Sequence, residues 1–101
     1  MNSFNERCYS ILRQVPKGKV TTYKALAEAL GTKAYRAVGN AMNKNPYAPQ
    51  VPCHRVINAN GSLGGFAYGM KKKIQMLKSE GIKIKDSKID LDKYGFDFNR
   101  K

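Results

Sequence analysis

Thr22-Tyr23-Lys24-Ala25-Leu26-Ala27-Glu28-Ala29-Leu30-Gly31-Thr32-Lys33-Ala34-Tyr35-Arg36-Ala37-Val38-Gly39-Asn40-Ala41-Met42-Asn43 is the stretch on which the fold turns. Tyr23 to Leu30 reads as a helix, and the short β-branched Val20-Thr21-Thr22 before it is placed to cap it. Gly31 supplies the left-handed residue that ends a helix. Thr32 can cap the next one, in which Ala34, Val38, Ala41 and Met42 keep helical spacing as far as Asn43. Two helices about a glycine turn form a helix-turn-helix pattern. The second carries little side chain at Ala34, Ala37, Gly39 and Ala41, and only Arg36, Asn40 and Lys44 reach far. Such a surface suits a tightly packed core helix, and it equally suits a helix that a partner must approach closely.

Upstream, Ser3 followed by Glu6 fits a capping box, and Phe4, Cys8, Ile11, Leu12 and Val15 recur at helical spacing until Pro16. A helix is predicted from Phe4 to Gln14, with Cys8 on its apolar stripe as a core thiol. Pro16-Lys17-Gly18 is a turn. Downstream, Pro46, Pro49 and Pro52 force irregular backbone from Asn45 to Pro52, which positions residues rather than packing them. Arg55-Val56-Ile57 then reads as a strand, Asn60-Gly61 as a tight turn and Leu63-Gly64-Gly65-Phe66 as the return of a small hairpin or wing. Met70, Ile74 and Leu77 mark a last helix, closed by Gly81. Beyond Ile82 the pattern fits strand, helix or docked coil, and what it does predict is that the aromatic residues Tyr94, Phe96 and Phe98 pack. The fold class is thus mainly α, a winged helix-turn-helix-like domain with a short β-hairpin.

The chain has 101 residues, 42% of them hydrophobic and 26% charged. That length suits one compact domain spanning 1–101, and no apolar run is long enough for a membrane span. Met1-Asn2-Ser3-Phe4-Asn5-Glu6 lacks a basic segment followed by an apolar one, so an intracellular site is expected: cytoplasm in a prokaryote, nucleus in a eukaryote. There the two cysteines stay reduced. With 19 Lys and Arg against 7 Asp and Glu, the net charge is +12 and the pI near 9.9. Such an excess favours a polyanion, nucleic acid above all, although an anionic membrane surface would draw the same composition. Lys71-Lys72-Lys73 reads as a solvated helix face.

Pro52-Cys53-His54-Arg55 sets the only histidine of the chain beside a cysteine at the end of the proline-rich loop. A histidine that accepts the thiol proton would raise the reactive thiolate fraction near neutral pH. On a strand, however, adjacent side chains point to opposite faces, so contact needs a turn there or a bridging water. A third group must then orient the imidazole. Taken alone, the pair also fits a buried thiol beside a hydrogen-bonded histidine.

Pro52-Cys53-His54-Arg55-Val56, with Asn45-Pro46 before it and a glycine-rich return after it, resembles the active-site stretch of the O6-alkylguanine-DNA alkyltransferases. The resemblance runs from Phe4 to Gly81. It includes Val15-Pro16-Lys17-Gly18-Lys19-Val20, Thr22-Tyr23 with Leu26-Ala27, Arg36-Ala37-Val38-Gly39, and Lys73 with Leu77 and Glu80-Gly81, all in the family's order. It implies single-turnover DNA repair, in which an O6-alkylguanine is flipped from duplex DNA and its alkyl group passes irreversibly to Cys53. By the same resemblance His54 is the water-bridged base, Glu80 the carboxylate that orients it, Asn45 the holder of the active-site turn and Tyr23 a proton donor to the purine. Arg36 would fill the gap left by the extruded base. Ala37, Gly39, Tyr23 and Arg55 would join it on the DNA face, while Met42, Val56, Phe66 and Ala67 would line the pocket, with backbone at Cys53 and Val56 reading the guanine edge.

No cofactor is implied, since one histidine and two cysteines make no plausible four-ligand metal site. A monomer without obligate protein partner is expected. The sequence departs from the family in Ala67, where many relatives have Ser, and in Ala48, where some have Pro. The further amino-terminal domain that relatives usually carry is expected to be absent. Three other readings remain. An alkyltransferase-like damage sensor shares the fold but lacks the reactive cysteine, a plain helix-turn-helix regulator leaves the Cys, His and Glu without a purpose, and a cysteine hydrolase needs an oxyanion hole.

Overall fold

A computed structural model describes residues 3–47, 50–64, 69–96 and 98. Helix α1 spans Phe4–Leu12 and starts where Ser3 Oγ accepts the Glu6 N–H at 3.1 Å. It stops two residues short of the expected Gln14, because Pro16 cannot continue it and Gln14 and Val15 close the end with i→i−3 bonds. Helix α2, Tyr23–Ala29, is capped by Thr22 Oγ1, which accepts the Ala25 N–H at 2.9 Å. Gly31, at φ +75°, turns the chain into α3, Tyr35–Asn43. Cys8, Tyr9, Leu12, Val15, Leu26, Ala27, Val38, Ala41 and Met42 of these elements form one apolar cluster, shared with Val51, Cys53 and Val56. Cys8 is fully buried there, as its place on the α1 stripe predicts.

The wing is where the sequence reading needs correction. Its turn forms, with the Gly61 N–H donating to Asn58 O and the Asn58 N–H to Ser62 O. Among the described residues its strand does not pair with its own return. Strand β1, Thr21–Thr22, lies parallel to β2, Val56–Ile57, with Thr21 opposite Val56. Ser62 meets Lys88 in an antiparallel bridge instead. The reason is burial: Val56 and Ile57 are both fully buried and read as a continuous apolar pair, the signature of a strand covered on both faces. Gly65 and Phe66, the end of the expected return, fall outside the described residues, as do Ala67 and Ala48.

Helix α4 spans Met70–Ser79 and is followed by Glu80 and by Gly81 at φ +87°. The tail settles as docked coil with one short helix, α5, Leu91–Tyr94. The Val20 N–H donates to Tyr94 O at 2.8 Å and the Phe96 N–H to Val20 O at 2.7 Å, so the tail runs alongside the start of β1. Its aromatics pack as expected. Tyr94 joins a second core with Val20, Ile57, Leu63, Leu77, Ile82 and Ile89, while Phe96 and Phe98, edge to face with each other, pack against the first. Since Val56 and Ile57 are neighbours on β2 and face different cores, the segment after Cys53 is fixed from both sides. No helix among the described residues is long and apolar enough to cross a membrane.

Candidate active site

Cys53, His54 and Arg55 form a single turn of 3-10 helix, not the start of a strand. Successive side chains on such a turn are about 120° apart rather than opposed, which removes the geometric objection to a Cys-His pair on consecutive residues. Asn45, expected to hold the active-site turn, is buried at the start of the loop that leads to Cys53. Its Nδ2 donates to Val51 O at 2.8 Å, and its Oδ1 accepts the Tyr47 N–H at 2.9 Å. The same loop is braced from outside by a contact the sequence did not announce. Tyr47 stacks edge to face on Tyr9, donates its hydroxyl to Glu6 Oε1 at 2.9 Å and lies beneath the Arg13 guanidinium. The partners are far apart in the chain, so no local pattern marks them.

His54 is 2% exposed, and its Nε2 lies 2.9 Å from Glu80 Oε2. With the carboxylate ionised, Nε2 carries the proton and donates, which leaves Nδ1 as the acceptor of the ring. Burial lowers the His54 pKa from its ordinary value. The bond and charge of Glu80 oppose that shift, and the cations Arg55 and Lys73 add to it. The imidazole is therefore neutral near neutral pH, the state a proton acceptor needs. Burial alone would raise the Glu80 pKa, but the hydrogen bonds from Arg55 and then His54 outweigh it and hold the carboxyl ionised.

Arg55 is turned inward, which corrects its expected place on the DNA face. Its Nε donates to Glu80 Oε1 at 2.9 Å, one terminal nitrogen to Glu80 Oε2 at 2.7 Å and the other to Val15 O at 2.9 Å. The planar guanidinium meets both oxygens of the carboxylate, so its donors are committed within the protein. Lys73 is a second correction. It is fully buried, and its Nζ donates to Val56 O at 2.7 Å and Leu63 O at 2.6 Å. Burial depresses its pKa to about 8, against the pull of Cys53, whose charge raises it. The sequence did hold the signal: Lys73 stands three residues after Met70 and four before Leu77, on the apolar stripe rather than off it.

Cys53 is 5% exposed and shares its cluster with Met42 and Val56, two of the expected pocket residues. Phe66 and Ala67, the other two, lie outside the described residues. Tyr23, on α2, packs against that cluster. Its pKa is raised first by burial and then by the charge of Cys53, so the phenol keeps its proton. The Val56 N–H donates to Cys53 O and the Cys53 N–H to Val51 O, so both N–H groups are engaged within the protein. Among the described residues no group of three His, Cys, Asp or Glu could hold a metal ion.

Arg36 stands apart, exposed on α3, as do Tyr35 and Asn40. Ala37 and Gly39 are half-buried, and a Cβ built on Gly39 would meet nothing within 4 Å. Internal packing therefore does not require glycine at this position.

Residues 3–82 match the family described as 6-O-methylguanine DNA methyltransferase, DNA binding domain. A methylated-DNA–protein-cysteine methyltransferase of Metallosphaera sedula is 50% identical over 84 residues, 83% of this chain and 53% of that protein. A bifunctional methyltransferase/endonuclease of Picrophilus torridus is 47% identical over 89 residues, 87% of this chain and 30% of its own length. The chain thus spans about half, or less, of these relatives. Among solved structures, S. pombe Atl1 in complex with damaged DNA containing O6-carboxymethylguanine superposes with a TM-score of 0.83 at 30% identity, covering 95% of this chain and 98% of that one.

Proposed function

Since the chain belongs to the family of the 6-O-methylguanine DNA methyltransferase DNA-binding domain, we propose that it repairs duplex DNA by moving the O6-alkyl group of a flipped guanine onto Cys53. The observation that carries the reading is the His54–Glu80 bond of 2.9 Å on the residue next to Cys53. It sets a neutral imidazole, with one nitrogen free to accept, beside a cysteine.

The step balances as follows. The thiol proton passes to His54 Nδ1, directly or through a water, and Glu80 stabilises the imidazolium that results. The sulfur forms a bond to the alkyl carbon as the bond from that carbon to O6 breaks. The electron pair of the broken bond stays with the purine, and Tyr23 donates a proton to the ring as charge develops there. Cys53 O and Val56 O each already accept one bond, and the second lone pair of each suits the exocyclic amino group of guanine, a donor. The product is a thioether without an easy route back to thiol, so each molecule acts once.

The base must leave the stack for this to happen, at a cost of a few kcal/mol. Arg36 is the candidate wedge, and Ala37 and Gly39 keep α3 slim enough to enter a groove. The net charge of +12 supplies the salt-dependent attraction to DNA.

Stoichiometric protein incubated with a duplex oligonucleotide containing O6-methylguanine should gain one methyl, mapped by mass spectrometry to the peptide holding Cys53. Cys53→Ser should abolish the gain. The second reading is a damage-sensing module, favoured by the Atl1 superposition over nearly the whole of both chains. Tight binding of the same duplex with no mass change would establish it in place of transfer.

A further inference from the structure

We propose that Arg55 is a positioning residue for the transfer reaction, its fork holding both oxygens of Glu80 so that Oε2 stays on His54 Nε2 and the carboxylate stays ionised. This rests on the reading of Cys53 as alkyl acceptor. The geometry is that of a clamp with three jaws. Nε and one terminal nitrogen take Oε1 and Oε2 of Glu80 at 2.9 and 2.7 Å, and the other terminal nitrogen takes Val15 O at 2.9 Å. Glu80 follows the last turn of α4, Val15 follows α1, and Arg55 ends the turn that bears Cys53. One side chain therefore fixes how the carboxylate meets the nucleophile's turn.

A carboxylate held by His54 alone could rotate about its own axis or swing away. Held by a fork, its plane is set, and Oε2 is shared between Arg55 and His54. The charged groups facing the pair are His54 and Arg55 from the 3-10 turn and Lys73 from α4. Of these, Arg55 gives Glu80 its strongest stabilisation as an anion, against a burial that favours the neutral acid. Take the guanidinium away and Glu80 is left half-desolvated beside an imidazole. It should then protonate at a higher pH than in the intact protein. A neutral Glu80 cannot support an imidazolium, so Cys53 would lose reactivity on the acid side first.

The test is the pH dependence of Cys53 alkylation by iodoacetamide, which needs no DNA, run beside methyl transfer from the O6-methylguanine duplex. Arg55→Met should react several-fold more slowly than the native protein at about pH 8, where the carboxylate is ionised but no longer held, and at about pH 5.5 its deficit should be roughly tenfold greater still. Arg55→Lys, which keeps a charge but cannot fork, should fall between the two. In Glu80→Gln, where nothing is left to ionise, adding Arg55→Met should bring no further pH-dependent loss. A deficit equal at every pH, in either Arg55 variant, would reduce Arg55 to a brace and overturn the proposal. Should Arg55→Met fail to fold, the Arg55→Lys profile decides. Failure of the repair reading would look different: native protein would show the iodoacetamide profile but take no methyl from DNA.

Discussion

Arg36 and Asn40 on α3 stand exposed, their side chains make no hydrogen bond or ion pair among the described residues, and the glycine between them borders open space. At the other end of the proposed reaction, His54, Arg55, Lys73 and Glu80 are largely withdrawn from solvent, and each is tied to at least one protein group. Both regions carry an arginine and use it in opposite ways. A surface that must receive a duplex keeps its donors free, because every bond made inside the protein would have to be broken on binding. A site that must hold a proton in one place keeps its donors occupied, because a loose carboxylate or imidazole would blur the geometry. Substitutions should therefore separate cleanly: changes at the closed corner should harm stability and chemistry together, and changes on α3 should harm DNA-dependent steps alone.

The largest effect on stability is expected at Lys73. Lys73→Ala leaves Val56 O and Leu63 O without a partner where water does not reach them, and it opens a cavity under β2. A loss of about 3 kcal/mol is expected by urea denaturation, the two orphaned acceptors and the cavity outweighing relief of a buried charge. Lys73→Met fills the space and should cost less, so a greater loss with Met than with Ala would contradict the packing part of the argument.

Glu80→Ala comes next. It strands Arg55 and removes the acceptor of His54, and a cost of about 2 kcal/mol is expected because the pair is only partly screened by solvent. Transfer should fall with it, by at least tenfold. The pH dependence has a definite sign. His54 is held below its ordinary 6.5 by burial, so the unfolded chain takes up a proton first as pH drops, and stability should begin to decline below about 6.5. Glu80, held low chiefly because Arg55 outweighs its burial, contributes stability that is present above its unfolded value of 4.5 and lost as pH falls through its folded value. Thermal melts from pH 8 to pH 3 should show both declines in the native protein. In Glu80→Ala the second should be missing.

How much of this the chain announced differs between the regions in the same way. The helices α1 to α4, their caps at Ser3 and Thr22 and the turn at Gly31 were legible, because each depends on residues within one or two turns of one another. Asn45, His54 and Glu80 were placed by resemblance, and the geometry brings the last two into contact across 26 residues. The parallel pairing of β2 with β1 was missed since the Asn60-Gly61 turn is a strong local hairpin signal, and nothing nearby reveals that Val56 and Ile57 are covered on both faces. Arg55 was misassigned for a related reason. An arginine beside an active site in a chain of net charge +12 invites a DNA role, and its true partners, Val15 and Glu80, lie 40 and 25 residues away. Lys73 was lost inside a run of three lysines, although its phase along α4 already put it with Leu77.

A smaller and opposite effect is expected at Gly39. Because a Cβ there meets nothing within 4 Å and the backbone is helical, Gly39→Ala should stabilise the fold, by up to about 1 kcal/mol. The same methyl group would stand between α3 and a groove wall, so affinity for duplex DNA should drop. Calorimetric melting and a binding titration on one preparation would show the two moving in opposite directions. If stability falls, Gly39 has an internal role that open space does not explain; if affinity is unchanged, α3 does not enter a groove at that point.

Arg36→Ala should be nearly silent in the folding equilibrium, within about 0.5 kcal/mol, since the side chain is exposed and gives nothing up when removed. Its effect should appear only where a base must be held out of a duplex. Transfer from duplex O6-methylguanine should slow, while transfer from the free base O6-methylguanine, which is never stacked, should hardly change. Comparing the two substrates cancels any change at Cys53, because both must reach the same sulfur. Equal slowing on both would mean that Arg36 acts on the closed corner after all, and the division between an open helix and a sealed site would fail at its most exposed residue.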